Sequence, residues 1–384
     1  MVLALLCVAA LHYSFVPLTF WEYDECLYAS AVEHFEPLHH HPPPPGSPIY
    51  IAFVKVVALL IPDTLTAMLI TSGLAVAAGF LAFILAFSAL TDLRTGVLAA
   101  LLLYASPAVL ISGMLPQAEA GALALLALAI WSCSKEHAAT CGFLCAIAIG
   151  WRLQLSIAIV PMFVAALFLT MRNWRDRFIA MSAFGVACLV WLIPLVATTG
   201  GPAGFWTWMS SQAKYYAQHD ADLSRSGQSL PQIALRFIAH PWGPKWLSLP
   251  LLAVALAGIR LNRRLIPLAI GSLAYAGFAI ATMDPADAVR YAIPSLPFIA
   301  LLAGTALAWV PRRNASLAAA AAVILYAIGA LWFAFPVLRP RSTMVSAPVA
   351  ATRWIAANMP RDTVVLYDLS LRPHAEYFLR GWRT

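Results

Sequence analysis

The chain of 384 residues is 62% hydrophobic and only 11% charged, with a formal net charge of +7. Apolar runs of about twenty residues recur along it, the signature of helices that cross a bilayer, and the runs Leu65 to Leu90 and Ala315 to Pro336 lack the polar face that a soluble domain must show to water. The basic residues fall singly or in small groups between these runs, without a stripe, which argues against a nucleic-acid partner.

Residues 1–17 carry no leading positive charge and no small-x-small cleavage site, so they are expected to form a first membrane helix rather than a signal peptide. The stretch "WEYDECLYASAVEHFEPLHHHPPPPGSPIY", Trp21 to Tyr50, then gathers five carboxylates and four histidines in an otherwise apolar chain. Ile49 to Ile61 reaches only about 20 Å of a ~30 Å hydrocarbon core, which predicts a juxtamembrane helix in the interface with Lys55 snorkelling to headgroups. Further spans are expected at 65–90, 95–113, 118–133, 138–151, 153–171, 178–198, 246–260, 265–283, 291–310 and 315–336, giving an all-α polytopic bundle of about eleven with the first. The connections "TDLRTG", "SCSKEHA", "RNWRDR", "RLNRR" and "PRRN" then all face the cytoplasm, and the segments 18–64 and 199–245 face outward. Lys214, Arg225, Arg236 and Lys245 in the second of these offend mildly against the positive-inside rule. Residues 1–336 are read as one transmembrane domain. The external tail 337–384 predicts a helix, a turn at Pro360 to Asp362 and a strand "TVVLYD", the opening of a small α/β unit that must pack on the membrane domain.

Asp24 and Glu25 follow the first span, and adjacent side chains point apart, so one can face a reaction centre while the other braces the loop. A carboxylate set against apolar surface suits a general base, and solvated loop acids are the alternative. His34, His39, His40 and His41 could ligate a metal, but consecutive histidines converge poorly on one ion, and Pro42 to Pro45 stiffens the segment instead. The six cysteines show no paired spacing for a disulfide framework or zinc site. Trp206, Trp208, Tyr215 and Tyr216 offer faces for stacking on sugars, or serve as ordinary interfacial aromatics. Asn314 meets the glycosylation sequon but lies on the cytoplasmic side of this topology.

The blocks "DECLYASA", "HHPPPPGSPIYIAFVKVVALL", "LPQAEAGALALLALAIW", "TCGFLCAIAIGWRLQLSIAIVP" and "DAVRYAIPSLPFIALLAG" together resemble the GT-C superfamily of membrane glycosyltransferases. The nearest resemblance is to the family that includes protein O-mannosyltransferases and lipid A aminoarabinose transferases. It implies an Asp-Glu pair in the first external loop followed by Tyr28, a His-Pro element aligned through His41, a basic helix end at Arg152, and a late Arg-Tyr pair at Arg290 and Tyr291. It also implies a sugar taken from a polyprenyl-phosphate donor and passed to a lipid, glycan or protein acceptor at the outer face of a bacterial cytoplasmic membrane.

In that frame Asp24 is the base and Glu25 its support. Arg290, Arg152 and, more weakly, Lys55 and Lys214 meet the leaving phosphate, because an arginine fork matches phosphate oxygens. The sequence departs from the pattern at Gln117, where relatives carry an acid; Glu119 stands two residues on, about 200° around a helix, and can substitute only if the helix starts after it. Some branches use a divalent ion such as Mg²⁺ or Mn²⁺ and others none, so the resemblance leaves a metal open. The competing classes are a transporter or flippase, which predicts ionisable groups at mid-bilayer depth, and a GT-C relative without catalysis.

Overall fold

The computed structural model describes residues 2–135, 137–219, 227–259, 263–309 and 315–382, and of Tyr216, Ala217, His219 and Ala315 only the backbone. Asn314, Arg225 and the Tyr216 ring therefore lie outside the described residues.

In chain order the helices are α1 (Val2–Tyr13), α2 (Tyr23–Glu33), α3 (Pro48–Ala58), α4 (Thr64–Leu90), α5 (Leu93–Ala105), α6 (Pro107–Gly113), α7 (Glu119–Ser134), α8 (Ala138–Trp151), α9 (Ser156–Leu169), α10 (Trp174–Thr198) and α11 (Gly201–His219). They continue as α12 (Leu230–Ala239), α13 (Lys245–Ala257), α14 (Ile266–Thr282), α15 (Ala288–Tyr291), α16 (Leu296–Ala308), α17 (Ala315–Thr343), α18 (Ala347–Asn358) and α19 (Arg372–Phe378). Among the described residues three helices are long and apolar enough to cross a membrane, or up to five if two bent pairs each count as one span. The first pair is α5 with α6, bent by 65°, and the second joins Pro285–Tyr291 to Ile293–Ala308 at 50°. Other apolar helices run 10–17 residues, so the expected first span shortens to α1.

The breaks have local causes. Asp63 accepts the Thr66 amide at 2.8 Å to start α4, and Asp92 accepts that of Thr95 at 3.0 Å to start α5. Ser106 ends α5 in an extended conformation and caps α6, whose first residue is Pro107, which cannot continue the preceding helix. Packing is close where glycines allow it: a Cβ on Gly142 of α8 would stand 2.0 Å from the Ala180 carbonyl oxygen of α10. α7 packs on both α4 and α8, and α9 on α14.

The tail corrects one expectation. α18 forms as predicted, but residues 363–368 form no strand: Val364 makes a lone bridge, and among the described residues the tail has no strand ladder. It instead folds back onto the first external loop. Ser346 Oγ donates to the Phe20 carbonyl, the Ser346 amide donates to Thr19 Oγ1 at 3.0 Å, and Arg341 and Arg380 pair with Glu22 and Glu33. The Thr363 amide and the Asp368 carbonyl are taken up by turns, and α19 beyond them packs on α2.

Candidate functional site

α2 sets the site. Glu22 caps it and the Glu25 carboxylate turns back to accept the amides of Glu22 and Trp21, so Glu25 is fully buried against the helix N-terminus. Burial pushes the Glu25 carboxyl up to about 8, against the opposing pull of the two amides. Asp24, one residue earlier, points the other way and meets Arg290, whose Nη2 donates to Asp24 Oδ2 at 2.6 Å.

Arg290 also donates from Nε to Glu119 Oε1 at 2.6 Å, and Arg152 Nη1 lies 3.0 Å from the same oxygen. Arg152 donates from Nε to Gln154 Oε1 at 3.2 Å. Asp24, Arg290, Glu119 and Arg152 thus form a chain of alternating charge with no formal excess, contributed by four segments far apart in sequence. Glu119 is 1% exposed and Asp24 24%, so the chain runs from the protein interior to the edge of a cavity. Such an array survives burial because each charge has an opposite partner within hydrogen-bond reach.

Helix starts and ends aim these groups. α7 begins at Glu119, which carries its carboxylate clear of the rotation that would have separated it from the position of Gln117. Gln117 itself is buried in the preceding tight turn, its amide bonded to the Leu115 carbonyl at 2.8 Å and both polar atoms of its side chain without a partner. Arg152 is the extended C-cap of α8, where the backbone leaves the helix and frees the side chain to turn inward.

Asp24 opens into a cavity of about 800 Å³ lined also by Tyr23, His39, His40, Tyr215 and, from the tail, Arg372. The histidine alignment shifts here. His41 exchanges backbone hydrogen bonds with Glu36, which closes the 36–41 loop, and this turn presents His39 and His40 to the cavity in place of His41. Burial lowers the His40 and His41 imidazoles, leaving both neutral at pH 7. A second, apolar groove of about 720 Å³ runs alongside, lined by Ile157, Trp191, Phe205, Phe278 and others. It shares Gln212 with the first cavity and is walled by Gln154, the partner of Arg152.

Other predicted residues stand apart. Lys55 lies in the last turn of α3, half-buried, and Lys214 is exposed on α11; neither lines either cavity. Tyr28 is buried edge-on to Tyr50, and burial, then the Glu119 carboxylate, push its phenol up. The Arg290 guanidinium lies 5.8 Å from the centre of the Tyr291 ring. Asp24, which lines the cavity, and Glu119, which lies deeper, are both engaged by arginine, and among the described residues no metal-type cluster of three or more groups includes them. Sequence reasoning missed Gln154, Gln212 and Arg372; Gln154 carried a faint signal as the polar neighbour two residues beyond the basic helix end.

The sequence matches no protein-family model and no curated protein. Solved structures are similar along nearly the whole chain. ArnT from Cupriavidus metallidurans, bound to undecaprenyl phosphate, superposes with a TM-score of 0.69 at 15% identity, covering 99% of this chain and 84% of that one. The GT-C glycosyltransferase fold is this chain's fold. The Archaeoglobus fulgidus oligosaccharyltransferase follows at a TM-score of 0.61 and 13% identity over 99% of this chain and 60% of its own. The mycobacterial arabinofuranosyltransferase AftD gives 0.55 and 14% over 96% and 30%.

Proposed function

We propose that the chain is a membrane glycosyltransferase that moves a sugar from a polyprenyl-phosphate donor to a lipid, glycan or protein acceptor at the outer face of a bacterial cytoplasmic membrane. The observation that carries this reading is the juxtaposition of Asp24 and the Arg290–Glu119–Arg152 array with both a polar cavity and an apolar groove. A polyprenyl-phosphate sugar has those three parts: a polar sugar, a phosphate and a long apolar tail. Similarity to a structure that holds undecaprenyl phosphate supports the same donor class. In this reading the shorter and bent helices also cross, which would make about eleven spans and set Asp24, Glu119, Arg152 and Arg290 on one side of the membrane.

In the proposed reaction the acceptor hydroxyl oxygen attacks the anomeric carbon, its proton passes to Asp24, and the bond from that carbon to the phosphate oxygen breaks. Its electron pair leaves on the phosphate, and the sugar inverts. Arg290 has five N–H donors and gives two to the carboxylates, so its remaining edge is available to phosphate oxygens. Glu119 holds both guanidiniums in place. Donor phosphate arriving on Arg290 competes with Asp24 for the guanidinium and releases the carboxylate to act as base, which orders binding with the donor first. The apolar groove takes the first prenyl units, and Tyr215, His39 and His40 line the space left for sugar and acceptor.

The test is reconstitution of the purified protein in proteoliposomes with a panel of polyprenyl-phosphate sugars and an envelope extract. Transfer of label from one donor to an extract component is the expected result. Tight binding of donors without any transfer, across hexose and pentose panels, would instead favour a relative that binds without turnover.

A further inference from the structure

Three of the six cysteines meet at the end of the α7–α8 hairpin opposite the charged array. Cys133 lies in the last turn of α7, while Cys141 and Cys145 stand one turn apart on one face of α8. Their sulfurs lie within 4.8 Å of one another, with Cys133 Sγ 3.1 Å from Cys141 and 4.0 Å from Cys145. All three are buried, at 3%, 0% and 0% exposure. Beside Cys133 is a void of about 10 Å³, close to the space of a single water, whose wall includes Ser134 and Arg264.

We infer that Cys133, Cys141 and Cys145 form a site for a thiophilic divalent cation, with Zn²⁺ as the matching ion. Zinc–sulfur bonds of about 2.3 Å in tetrahedral geometry place sulfurs roughly 3.8 Å apart, a value that lies between the two short separations seen here. Three thiols that ligate lose their protons to solvent, giving a charge of minus three against the ion's plus two. Arg264, an exposed basic residue, stands on the wall of the void that Cys133 also lines. A monovalent soft ion with the same three thiolates would leave two negative charges uncompensated where zinc leaves one, which disfavours it. Three sulfurs leave the fourth tetrahedral position to a water.

The hairpin gives the site its consequence. Glu119 starts α7 and Arg152 caps α8, so the ion would clamp the two helices about 21 Å from the residues that hold the array, fourteen residues along α7 at about 1.5 Å each. Two helices joined at both ends have less freedom to shear than two joined by a loop alone.

The experiment uses the full-length protein in detergent micelles. Zinc content is measured by mass spectrometry after purification, and Co²⁺ is then substituted to read thiolate charge-transfer and tetrahedral ligand-field absorption. One zinc per chain and a thiolate–cobalt spectrum are expected, both falling at least tenfold in Cys141→Ser and persisting in Cys188→Ser, whose sulfur lies outside the cluster. Cys145→Ala serves the same purpose if Cys141→Ser does not fold. The inference is overturned if no thiolate–cobalt spectrum forms, if the spectrum survives both cluster variants, or if the protein retains copper in preference to zinc.

Discussion

Arg290 holds two carboxylates with one guanidinium, and its replacement exposes how differently the two depend on it. Arg290→Ala leaves Glu119 buried with Arg152 as its remaining partner, and stability should fall by about 3–5 kcal/mol, read as a lower unfolding midpoint in detergent. Arg290→Lys keeps the charge and loses the fork, so most of that stability should return while the KM for the lipid-linked donor rises tenfold or more. Glu25 makes a prediction of opposite kind. Its carboxyl is raised in the folded protein from 4.5 to about 8, so the folded state keeps a proton that the unfolded state gives up between those values. Stability should therefore decline as pH rises from about 4.5 through about 8, and Glu25→Gln should flatten that slope in thermal melts taken across the window. At this scale the scarcity of charges in the chain singled out Asp24, Arg152 and Arg290, and the structure joins them in one array. The sequence left open which of Gln117 and Glu119 reaches the arginines, since that turns on where α7 begins, and a one-residue difference in a helix start leaves no compositional trace.

Helix contacts decide whether those residues stay aimed. A Cβ placed on Gly121 of α7 would come within 2.1 Å of the Trp151 ring, which donates its Nε1–H to the Ala118 carbonyl at 2.9 Å. Gly121→Val should push Trp151 aside and carry Arg152 with it, costing about 1–3 kcal/mol in stability and a larger fraction of transfer activity. The two would be separated by comparing the unfolding midpoint with turnover of the folded fraction. Helix existence and order were readable from apolar period and capping residues such as Asp63, Asp92 and Ser106. The bends at Ser106–Pro107 and before Ile293 were harder, because proline in a membrane helix can kink or break it and only packing decides which. The strand expected at "TVVLYD" did not form for a related reason: alternating residues allow a strand, but among the described residues none runs beside them as a ladder, and the segment becomes a connection that lays α19 over the cavity. The cysteine cluster was hidden because its spacing crosses a helix hairpin, with Cys141 and Cys145 at i, i+4 as its only local sign.

Across the whole molecule, the alternation of basic loops leads one to expect residues 24, 119, 152 and 290 on one side of a bilayer, and the fold brings these four side chains into one array. The apolar groove and the polar cavity share Gln212 on their walls, and the proposed donor would lay its prenyl tail on one side of it and its sugar on the other. Filling the groove with Ala281→Trp should raise the KM for a long-chain donor severalfold while a short-chain analogue is affected less, measured as initial rates with donors of differing prenyl length. The most direct test of the account is sugar transfer by Asp24→Asn in proteoliposomes beside the parent, with donor binding and unfolding midpoint measured on the same preparations. Loss of transfer by about 10²–10⁴-fold with donor binding and folding retained is the predicted result, since only the proton acceptor has been removed. Transfer at the parent's rate by the variant would contradict the assignment of Asp24 as the base and with it the mechanism built on the Arg290 contact.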